Sequence, residues 1–395
     1  MMPETEKRTM QLNMGPAHPA MHGTVNIGLE LEGERICGSE VGIGYMHRAF
    51  EKTVEHRSWN QVVPYTDRLN YVSPVINNVG YALAVEKLLG ISVPERGVWI
   101  RTLMCEVSRV TDHLTCNGAM AMELGALTVF IWLIRAREIL YGLLEEATGA
   151  RLTVSWSRIG GVSADLTDKF LAGLPGAIRE VRRAVSEGNT LLTGNRIFID
   201  RTRGIGALSR EDAVSHAITG PLGRASGLDY DVRRDLPYLA YDQVQFEVPL
   251  GEHGDVYDRF MVRVREIEQS LRIIEQCLAK LPGGPVGVDD QRVTLPAKDD
   301  VYSSMESLIH HFKLLMPGHG IRPPAGEVYQ AVEGANGELG FYIVSDGSDR
   351  PWRIRVRPPC FFAMAALSKM IDGGLVADVP PVFGSVNMIA GELDR

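Results

Sequence analysis

Two histidines, His18 and His22, lie four positions apart in the glycine- and proline-rich stretch 15–23. Such a pair can ligate a metal when both side chains stand on one helix face, but Pro16 and Pro19 disfavour a regular helix here. No cysteine or acidic cluster lies nearby in the sequence to complete a ligand set. Spacing alone therefore favours a structural role for the pair, with proton chemistry second and metal binding last.

Tyr71 and Glu123 are the other side chains that could handle protons. Tyr71 closes a polar and aromatic cluster, residues 65–71, just ahead of a predicted helix. A phenol is a weak acid on an apolar body, suited to binding a carbonyl and delivering a proton, although most such tyrosines are simply packed. Glu123 has almost entirely apolar neighbours, so its carboxylate must find a partner or take up a proton.

The composition limits the class of protein. The chain has 395 residues, a net charge of −8 and five cysteines without a CxxC pair. The negative charge argues against nucleic-acid binding, and the scattered cysteines argue against a local zinc or cluster motif and for a reducing setting. The apolar run 126–134 ends at Arg135 and is far shorter than a membrane span of roughly 20 residues. Membrane contact is therefore expected to go through partner subunits.

The predicted fold class is α+β, mainly α, in three parts. Residues 1–80 form an N-terminal α/β part with a hairpin around 32–34, and residues 81–320 form a bundle of long helices with a glycine-rich insertion at 200–254. Residues 321–395 form a part with short β-strands that packs near the N-terminal part. Apolar periodicity predicts helices over 97–116 and 256–278. The segment 127–144 is apolar almost all round, which predicts the buried centre of the bundle, and Pro175 predicts a break or kink in the helical segment 165–193.

An ordered series of motifs gives the chain a specific resemblance. The motifs are GPxHPxxHG (15–23), HRxxEK (47–52), DRLxY (67–71), AVEKLLG (84–90), ELGALT (123–128), IGGVxxDL (159–166), RASGxxYDVR (224–233), VPLGExGDVxDR (248–259), GExGxYIVSDG (337–347) and GExDR (391–395). In this order they resemble the 49-kilodalton subunit of respiratory complex I, which in bacteria is the D-type subunit. The chain is more distantly similar to the large subunit of nickel–iron hydrogenases, whose fold it is expected to share.

The resemblance implies a quinone as the substrate, either ubiquinone or menaquinone. In the family, the residues matched by His22 and Tyr71 hold the quinone head group, and the residue matched by Glu123 pairs with that histidine. The resemblance further places Ile389 in the cavity wall, Asn70 beside the tyrosine and His18 as a support of the loop.

The resemblance also implies partners. The electrons would come from a [4Fe–4S] cluster on a small neighbouring subunit of the B type, because this chain lacks the four thiolates that a cluster needs. Arg48, Arg68 and Thr153 match positions near that cluster. A C-type subunit and membrane subunits of the H type, which form the quinone channel, would be further neighbours. The chain would then be peripheral, at the cytoplasmic face of the inner membrane, with no cofactor held by this chain alone.

Three positions depart from the usual family residues. Glu123 and Asn70 stand where aspartate is usual, and Thr153 stands where a histidine is often found. A histidine near the cluster would couple cluster reduction to protonation, so its replacement predicts a weaker pH dependence and a lower cluster potential. A low-potential quinone such as menaquinone would fit that change.

Three alternatives compete with this function. A nickel–iron hydrogenase needs two CxxC pairs to hold its metals, and neither 67–76 nor 385–392 contains a cysteine. The same quinone-reducing role in a complex fed by reduced deazaflavin or ferredoxin stays open, although the motifs favour the form fed by NADH. A scaffold subunit without an active site also stays open, in which His22, Tyr71 and Glu123 would be packing residues.

Overall fold

The computed structural model describes residues 9–21, 23–316 and 318–395. The strands are β1 (Thr9–Met14), β2 (Asn26–Glu32), β3 (Arg35–Gly42), β4 (Ser157–Arg158), β5 (Gly161–Val162), β6 (Gly326–Gly334), β7 (Gly337–Ser345) and β8 (Arg353–Arg357). The helices are α1 (Phe50–Val54), α2 (Trp59–Thr66), α3 (Pro74–Leu89), α4 (Glu95–Glu123), α5 (Leu127–Thr148), α6 (Asp168–Leu192), α7 (Arg196–Asp200), α8 (Arg210–Ser215), α9 (Gly220–Ala225), α10 (Val232–Asp235), α11 (Val256–Lys280), α12 (Lys298–Ser303), α13 (Met305–Leu315), α14 (Pro359–Ala365), α15 (Leu367–Ile371), α16 (Val379–Val386) and α17 (Ala390–Leu393). This content confirms the predicted α+β, mainly α class.

The N-terminal sheet is antiparallel in the order β1-β2-β3. Ile27, Leu29 and Leu31 on β2 point into the core while Glu30 and Glu32 are exposed, as the period of two side chains requires. The turn between β2 and β3 contains Gly33 with a positive φ of 65°, so the predicted hairpin is confirmed.

The long helix α4 runs through the middle of the molecule and packs against α3, α5, α11 and α16. It confirms the predicted helix over 97–116 and extends it to Glu123. Several charged side chains of α4 are fully buried: Arg101, Glu106, Arg109, Asp112 and His113. Because a buried charge is costly unless it is paired or hydrogen-bonded, each of these groups must find its partners on other elements.

The partners are oppositely charged groups drawn from distant parts of the chain. Glu106 accepts hydrogen bonds from Arg109 and from Arg233 of α10, and His113 lies 2.8 Å from Glu266 of α11. Glu266 also binds Arg224 of α9, whose guanidinium reaches Glu333 of β6. These ion pairs join α4 to the glycine-rich segment, to α11 and to the C-terminal sheet.

The helix α5 differs from its prediction. It packs between α4 and α6 and buries one face, which is formed by Val129, Leu133, Ala136, Leu140, Tyr141 and Leu144. Leu127 and Ile131, however, are 55% and 54% exposed, so the prediction of a helix buried on all sides was wrong. An apolar sequence shows which faces can be covered, but it does not show whether this chain or another molecule covers them.

The helix α6 continues through Pro175 from residue 168 to residue 192, so the predicted break does not occur. A proline inside a helix removes one backbone hydrogen bond to the carbonyl four residues before it. Leu174, Ala177 and Ile178 are buried on either side of Pro175, and α6 packs against α5. Packing on both sides of the proline therefore offsets the missing bond.

None of the helices in the described ranges is both long enough and apolar enough to cross a membrane. Within the same ranges there is no group of three or more histidine, cysteine or acidic side chains that could hold a metal ion. The five cysteines form no disulfide.

The buried ion pairs predict a specific loss of stability on replacement of Glu106 by Gln. The neutral amide would leave the guanidinium group of Arg109 buried without its counter-charge, and Arg233 would keep only Asp231 as an acidic partner. We expect the free energy of unfolding to fall by about 3–5 kcal/mol, measured by denaturant unfolding of the full-length chain. Glu180→Gln, which breaks an exposed pair with Arg183, should cost several-fold less.

The pH dependence gives a second readout of the same prediction. Burial alone would raise the pKa of Glu106, but Arg109 and Arg233 lower it from its usual value near 4.5 to about 2. The group thus contributes stability that is complete above about pH 4.5 and is lost as the pH falls towards 2. The Gln variant should lack this share of the acid sensitivity. Equal effects of both substitutions would show that the buried network does not stabilise the fold.

Candidate functional site

Tyr71 lies in the turn between α2 and α3, with its side chain 37% exposed between the buried residues Asn70 and Val72. Burial raises the pKa of the Tyr71 phenol, and Cys360 and Asp112 raise it further, while Arg48 opposes them. The phenol is therefore protonated at neutral pH and presents an O–H donor at a partly open surface.

Hydrogen bonds to Asp112 of α4 hold the turn that contains Tyr71. Asn70 donates from Nδ2 to Asp112 Oδ2 at 2.9 Å, and Ser73 donates from Oγ to the same oxygen at 2.8 Å. Asn70 Oδ1 in turn accepts from the backbone N–H of Val72 at 3.1 Å. An aspartate at position 70 would face the Asp112 carboxylate without a donor, so the amide suits this contact.

The loop 15–23 approaches the same region, but His22 lies outside the described residues. His18 Nδ1 accepts a hydrogen bond from the backbone N–H of Ala20 at 3.2 Å, and the His18 carbonyl accepts one from Met21. The His18 ring thus caps its own turn. Gly23 has a φ of 125°, a backbone conformation that favours glycine. A Cβ there would lie 2.3 Å from the methyl group of Met388, so the loop and Met388 lie in direct contact.

Glu123 is the last residue of α4 and is half-buried against α16. A Cβ built on Gly384 of α16 would lie only 1.8 Å from Glu123 Oε2. Because glycine has no side chain, position 384 leaves the space that the Glu123 carboxylate occupies. Met388, which follows α16, contacts the loop at Gly23, so this part of the chain lies between Glu123 and the histidine loop.

Asn387 ends α16 in the left-handed conformation, with φ 56° and ψ 53°. Asparagine tolerates this region better than most residues. Its side chain donates from Nδ2 to Asp112 Oδ1 at 2.8 Å, and Ile389 two residues later is 6% exposed. Asp112 therefore holds the Tyr71 turn with one oxygen and the 387–389 segment with the other.

Residues 391–395 pack beneath the segment that carries Arg48. The Asp394 carboxylate accepts hydrogen bonds from the backbone N–H groups of Gly44 at 2.9 Å and Met46 at 2.8 Å. Glu392 is buried, which raises its pKa to about 7, and it accepts from the backbone N–H of Cys360 at 3.1 Å. The GExDR motif is thus a set of carboxylates that order the neighbouring backbone.

Arg48 and Arg68 form a second, exposed group. Arg48 Nη2 donates to the carbonyl oxygens of Arg68 at 2.8 Å and Gly391 at 3.4 Å, and Arg68 Nη1 donates to that of Pro64 at 2.6 Å. Beside them lies a pocket of about 410 Å³, lined by Arg48, Phe50, Thr53, Pro64, Tyr65 and Arg68. Two cations thus border an otherwise largely apolar depression.

Thr153 lies on a loop whose Ser155 contacts Asp67, the residue before Arg68. Its φ of 53° is unusual for a β-branched residue, and its hydroxyl donates to the Leu152 carbonyl at 2.7 Å. Two residues on, Ser155 donates from its hydroxyl and its backbone N–H to the carboxylate of Asp67. Burial raises the pKa of Asp67, although the hydrogen bonds from Ser155 oppose the shift.

The structure therefore arranges the described candidate residues in two groups. Tyr71, Asn70, Glu123 and Ile389 lie around Asp112 and the end of α16, whereas Arg48, Arg68 and Thr153 lie around Asp67. Asp112 and Asn387 were not predicted from the sequence. In the sequence, Asp112 lies outside the apolar stripe of α4, so it would be expected to face solvent. The structure shows that α4 is buried on nearly all sides and that Asp112 is buried with it.

Comparison with known proteins agrees with the motifs. Residues 123–395 match the family model described as "Respiratory-chain NADH dehydrogenase, 49 Kd subunit". The chain is 54% identical to the D 1 subunit of the NADH-quinone oxidoreductase of Sorangium cellulosum, over 98% of this chain and 95% of the relative, and 47% identical to the D-type subunit of Myxococcus xanthus, over 99% and 94%. It is also 47% identical to the C/D-type subunit of Bdellovibrio bacteriovorus, over 98% of this chain and 69% of that relative. The chain belongs to the family of the 49-kilodalton subunit of the respiratory-chain NADH dehydrogenase.

Proposed function

We propose that this chain is the core peripheral-arm subunit that forms the quinone-reduction site of a proton-translocating NADH:quinone oxidoreductase. The observation that carries the proposal is the partly exposed Tyr71 phenol, which is kept protonated and held on a buried hydrogen-bonded frame. That frame also binds the segment 387–389 and lies beside the end of α4 at Glu123. The family membership agrees with this arrangement, since the relatives are named as subunits of quinone-reducing complexes.

The chemistry follows from what a quinone requires. Reduction to the quinol adds two electrons and two protons, and each proton must end on a carbonyl oxygen. The Tyr71 hydroxyl is an O–H donor suited to one carbonyl, and His22 is proposed as the second donor of the head-group site. Glu123 is proposed to pair with the imidazolium of His22 and so to keep that ring protonated until it gives its proton to the quinone carbonyl. Ile389 contributes apolar surface to the cavity wall.

The electrons are proposed to arrive from a [4Fe–4S] cluster on a B-type partner subunit. Arg48 and Arg68 border the pocket of about 410 Å³, and guanidinium groups there would stabilise the extra negative charge of a reduced cluster. Arg68 lies only three residues before Tyr71 in the sequence, so a cluster near Arg68 would be near the proposed quinone site.

Further partners and the location are part of the same proposal. The name of the Bdellovibrio relative combines the C and D types, which supports a C-type subunit as a neighbour of this chain. Membrane subunits of the H type are proposed to bring the quinone from the bilayer, with this chain peripheral at the cytoplasmic face of the inner membrane. The names of the relatives favour NADH over reduced deazaflavin or ferredoxin as the electron source.

Replacing Tyr71 by Phe and, separately, His22 by Ala in the assembled complex tests the proposed site. Each change removes one proposed proton donor, so we expect NADH:quinone activity to fall by about tenfold or more. Electron transfer from NADH to a hydrophilic artificial acceptor such as ferricyanide should persist. Tyr302→Phe, at a tyrosine that is 80% exposed on α12, is the matched control and should not change either rate.

The scaffold alternative predicts the opposite result. If Tyr71 and His22 are packing residues only, both variants should either retain full quinone turnover or lose both activities through failed assembly. Native gel electrophoresis of the complex separates these cases. Unchanged quinone reduction in an assembled complex of both variants would contradict the proposed site.

Replacing Gly384 by Ala tests the place of the Glu123 carboxylate. The new methyl group would overlap Oε2, which sits at the end of a flexible side chain and can move, so the complex should still assemble. We expect a several-fold loss of quinone reduction with normal ferricyanide reduction. Gly142→Ala, in α5 where a Cβ meets no atom within 4 Å, is the control. Wild-type quinone kinetics in the Gly384 variant would show that the carboxylate position is unimportant.

Thr153 gives a prediction about the partner's cluster. Threonine does not titrate near neutral pH, so the midpoint potential of the neighbouring cluster should depend only weakly on pH. A Thr153→His variant should steepen the dependence, towards about 59 mV per pH unit for one proton per electron. Redox titration followed by electron paramagnetic resonance measures both slopes, and a steep slope in the wild-type complex would contradict the prediction.

A further inference from the structure

Asp112 is a fully buried carboxylate whose hydrogen-bond donors are neutral side chains. Oδ2 accepts from Asn70 Nδ2 at 2.9 Å and from Ser73 Oγ at 2.8 Å, and Oδ1 accepts from Asn387 Nδ2 at 2.8 Å. Within the described ranges, Asp112 makes no ion pair with an arginine or a lysine. Glu106, which lies earlier on α4, is by contrast paired with two arginines, Arg109 and Arg233.

The three donors belong to two segments that are far apart in the sequence. Asn70 and Ser73 flank Tyr71 in its turn, and Asn387 precedes Met388 and Ile389. Hydrogen bonds to a charged acceptor are stronger than those between neutral groups, and a buried carboxylate that loses a donor becomes costly. The carboxylate therefore sets the distance between the two segments and fixes each of them on α4.

The backbone at Asn387 shows that this constraint has a structural cost. A non-glycine residue in the left-handed region persists where the surroundings determine it. At Asn387 the side chain is held by Asp112, and Asn336 of the β6–β7 turn donates to the backbone carbonyl of Asn387 at 3.1 Å. The left-handed turn directs the chain from α16 to Met388, which contacts Gly23 beside His22.

We propose that Asp112 is a positioning residue of the quinone site, whose carboxylate holds the Tyr71 turn and the 387–389 wall at a fixed separation. It acts through its donors and does not touch the substrate. The inference rests on the proposed function of Tyr71 and assigns a role that neither the motifs nor the family membership supplies.

Asp112→Asn in the assembled complex is the first test. The amide keeps one oxygen for Asn70 and Ser73 but turns an N–H2 group towards the Asn387 amide, so the link to the 387–389 wall is lost. We expect the KM for a short-chain quinone to rise by about tenfold, with a smaller change in kcat and normal ferricyanide reduction. Asp300→Asn, at an exposed acid on α12, is the charge-matched control and should match wild type.

A swap of the two side chains distinguishes positioning from general stability. Asn387→Asp alone sets two carboxylates against each other and should raise the KM at least as much as Asp112→Asn. The double variant Asp112→Asn with Asn387→Asp restores one donor and one acceptor across the same contact. The Asn387 amide also donates to Asn336 Oδ1 at 2.5 Å, a bond that the swap does not restore. The KM of the double variant should therefore return part of the way to the wild-type value, a coupling that a double-mutant cycle measures. An additive double variant would overturn the positioning role.

Ser73→Ala keeps the test decisive if the Asp112 variants do not assemble. It removes one donor and leaves the carboxylate and its two other partners, so a rise of roughly two- to fivefold in the quinone KM is expected. Suppose that Ser73→Ala and any assembled Asp112 variant have a wild-type KM while Tyr71→Phe still loses quinone turnover. That result would overturn the proposed role of Asp112 and leave the proposed function standing. Normal quinone turnover in Tyr71→Phe would instead overturn the proposed function and this inference with it.

Discussion

The charged side chains inside α4 are the constraint on which the rest of this structure depends. A helix that is buried on every side cannot turn its ionisable groups to water, so each group must be satisfied by another element. Arg101 meets Glu86 of α3, Glu106 meets Arg233 of α10, and His113 meets Glu266 of α11. These pairs specify which elements surround α4 and in which register, more strictly than apolar packing alone would.

The candidate site uses the same helix in a different way. Near its end, α4 presents Asp112 to neutral donors of two loops, and at its last residue it presents Glu123 to Gly384. Because the ion pairs fix α4 from residue 101 to residue 113, the acceptor for the Tyr71 turn has a defined position. A site built from loops thereby obtains the rigidity of the helical core, which is what donors converging on one ligand require.

The sequence predicts the elements well where a local pattern determines them. The hairpin at β2 and β3 and the helices α4 and α11 follow from periodicity. Glu123 stands out as an acid among apolar neighbours, whereas the site role expected for Tyr71 comes from the family resemblance. The sequence analysis did not predict roles for Asp112 and Asn387, because their roles depend on a hydrogen bond between residues 275 positions apart. The error at α5 has a related cause, since Leu127 and Ile131 are apolar but the described part of the chain leaves them about half exposed.

Asn70 and Glu123, which the motif resemblance marks as unusual, have local physical reasons in this structure. An aspartate at position 70 would place a second carboxyl group against that of Asp112, whereas the Asn70 amide donates a hydrogen bond to it. The extra methylene of Glu123 advances its carboxylate to a place that a side chain at position 384 would occupy, and Gly384 leaves that place open. Each change is thus accommodated by a direct neighbour.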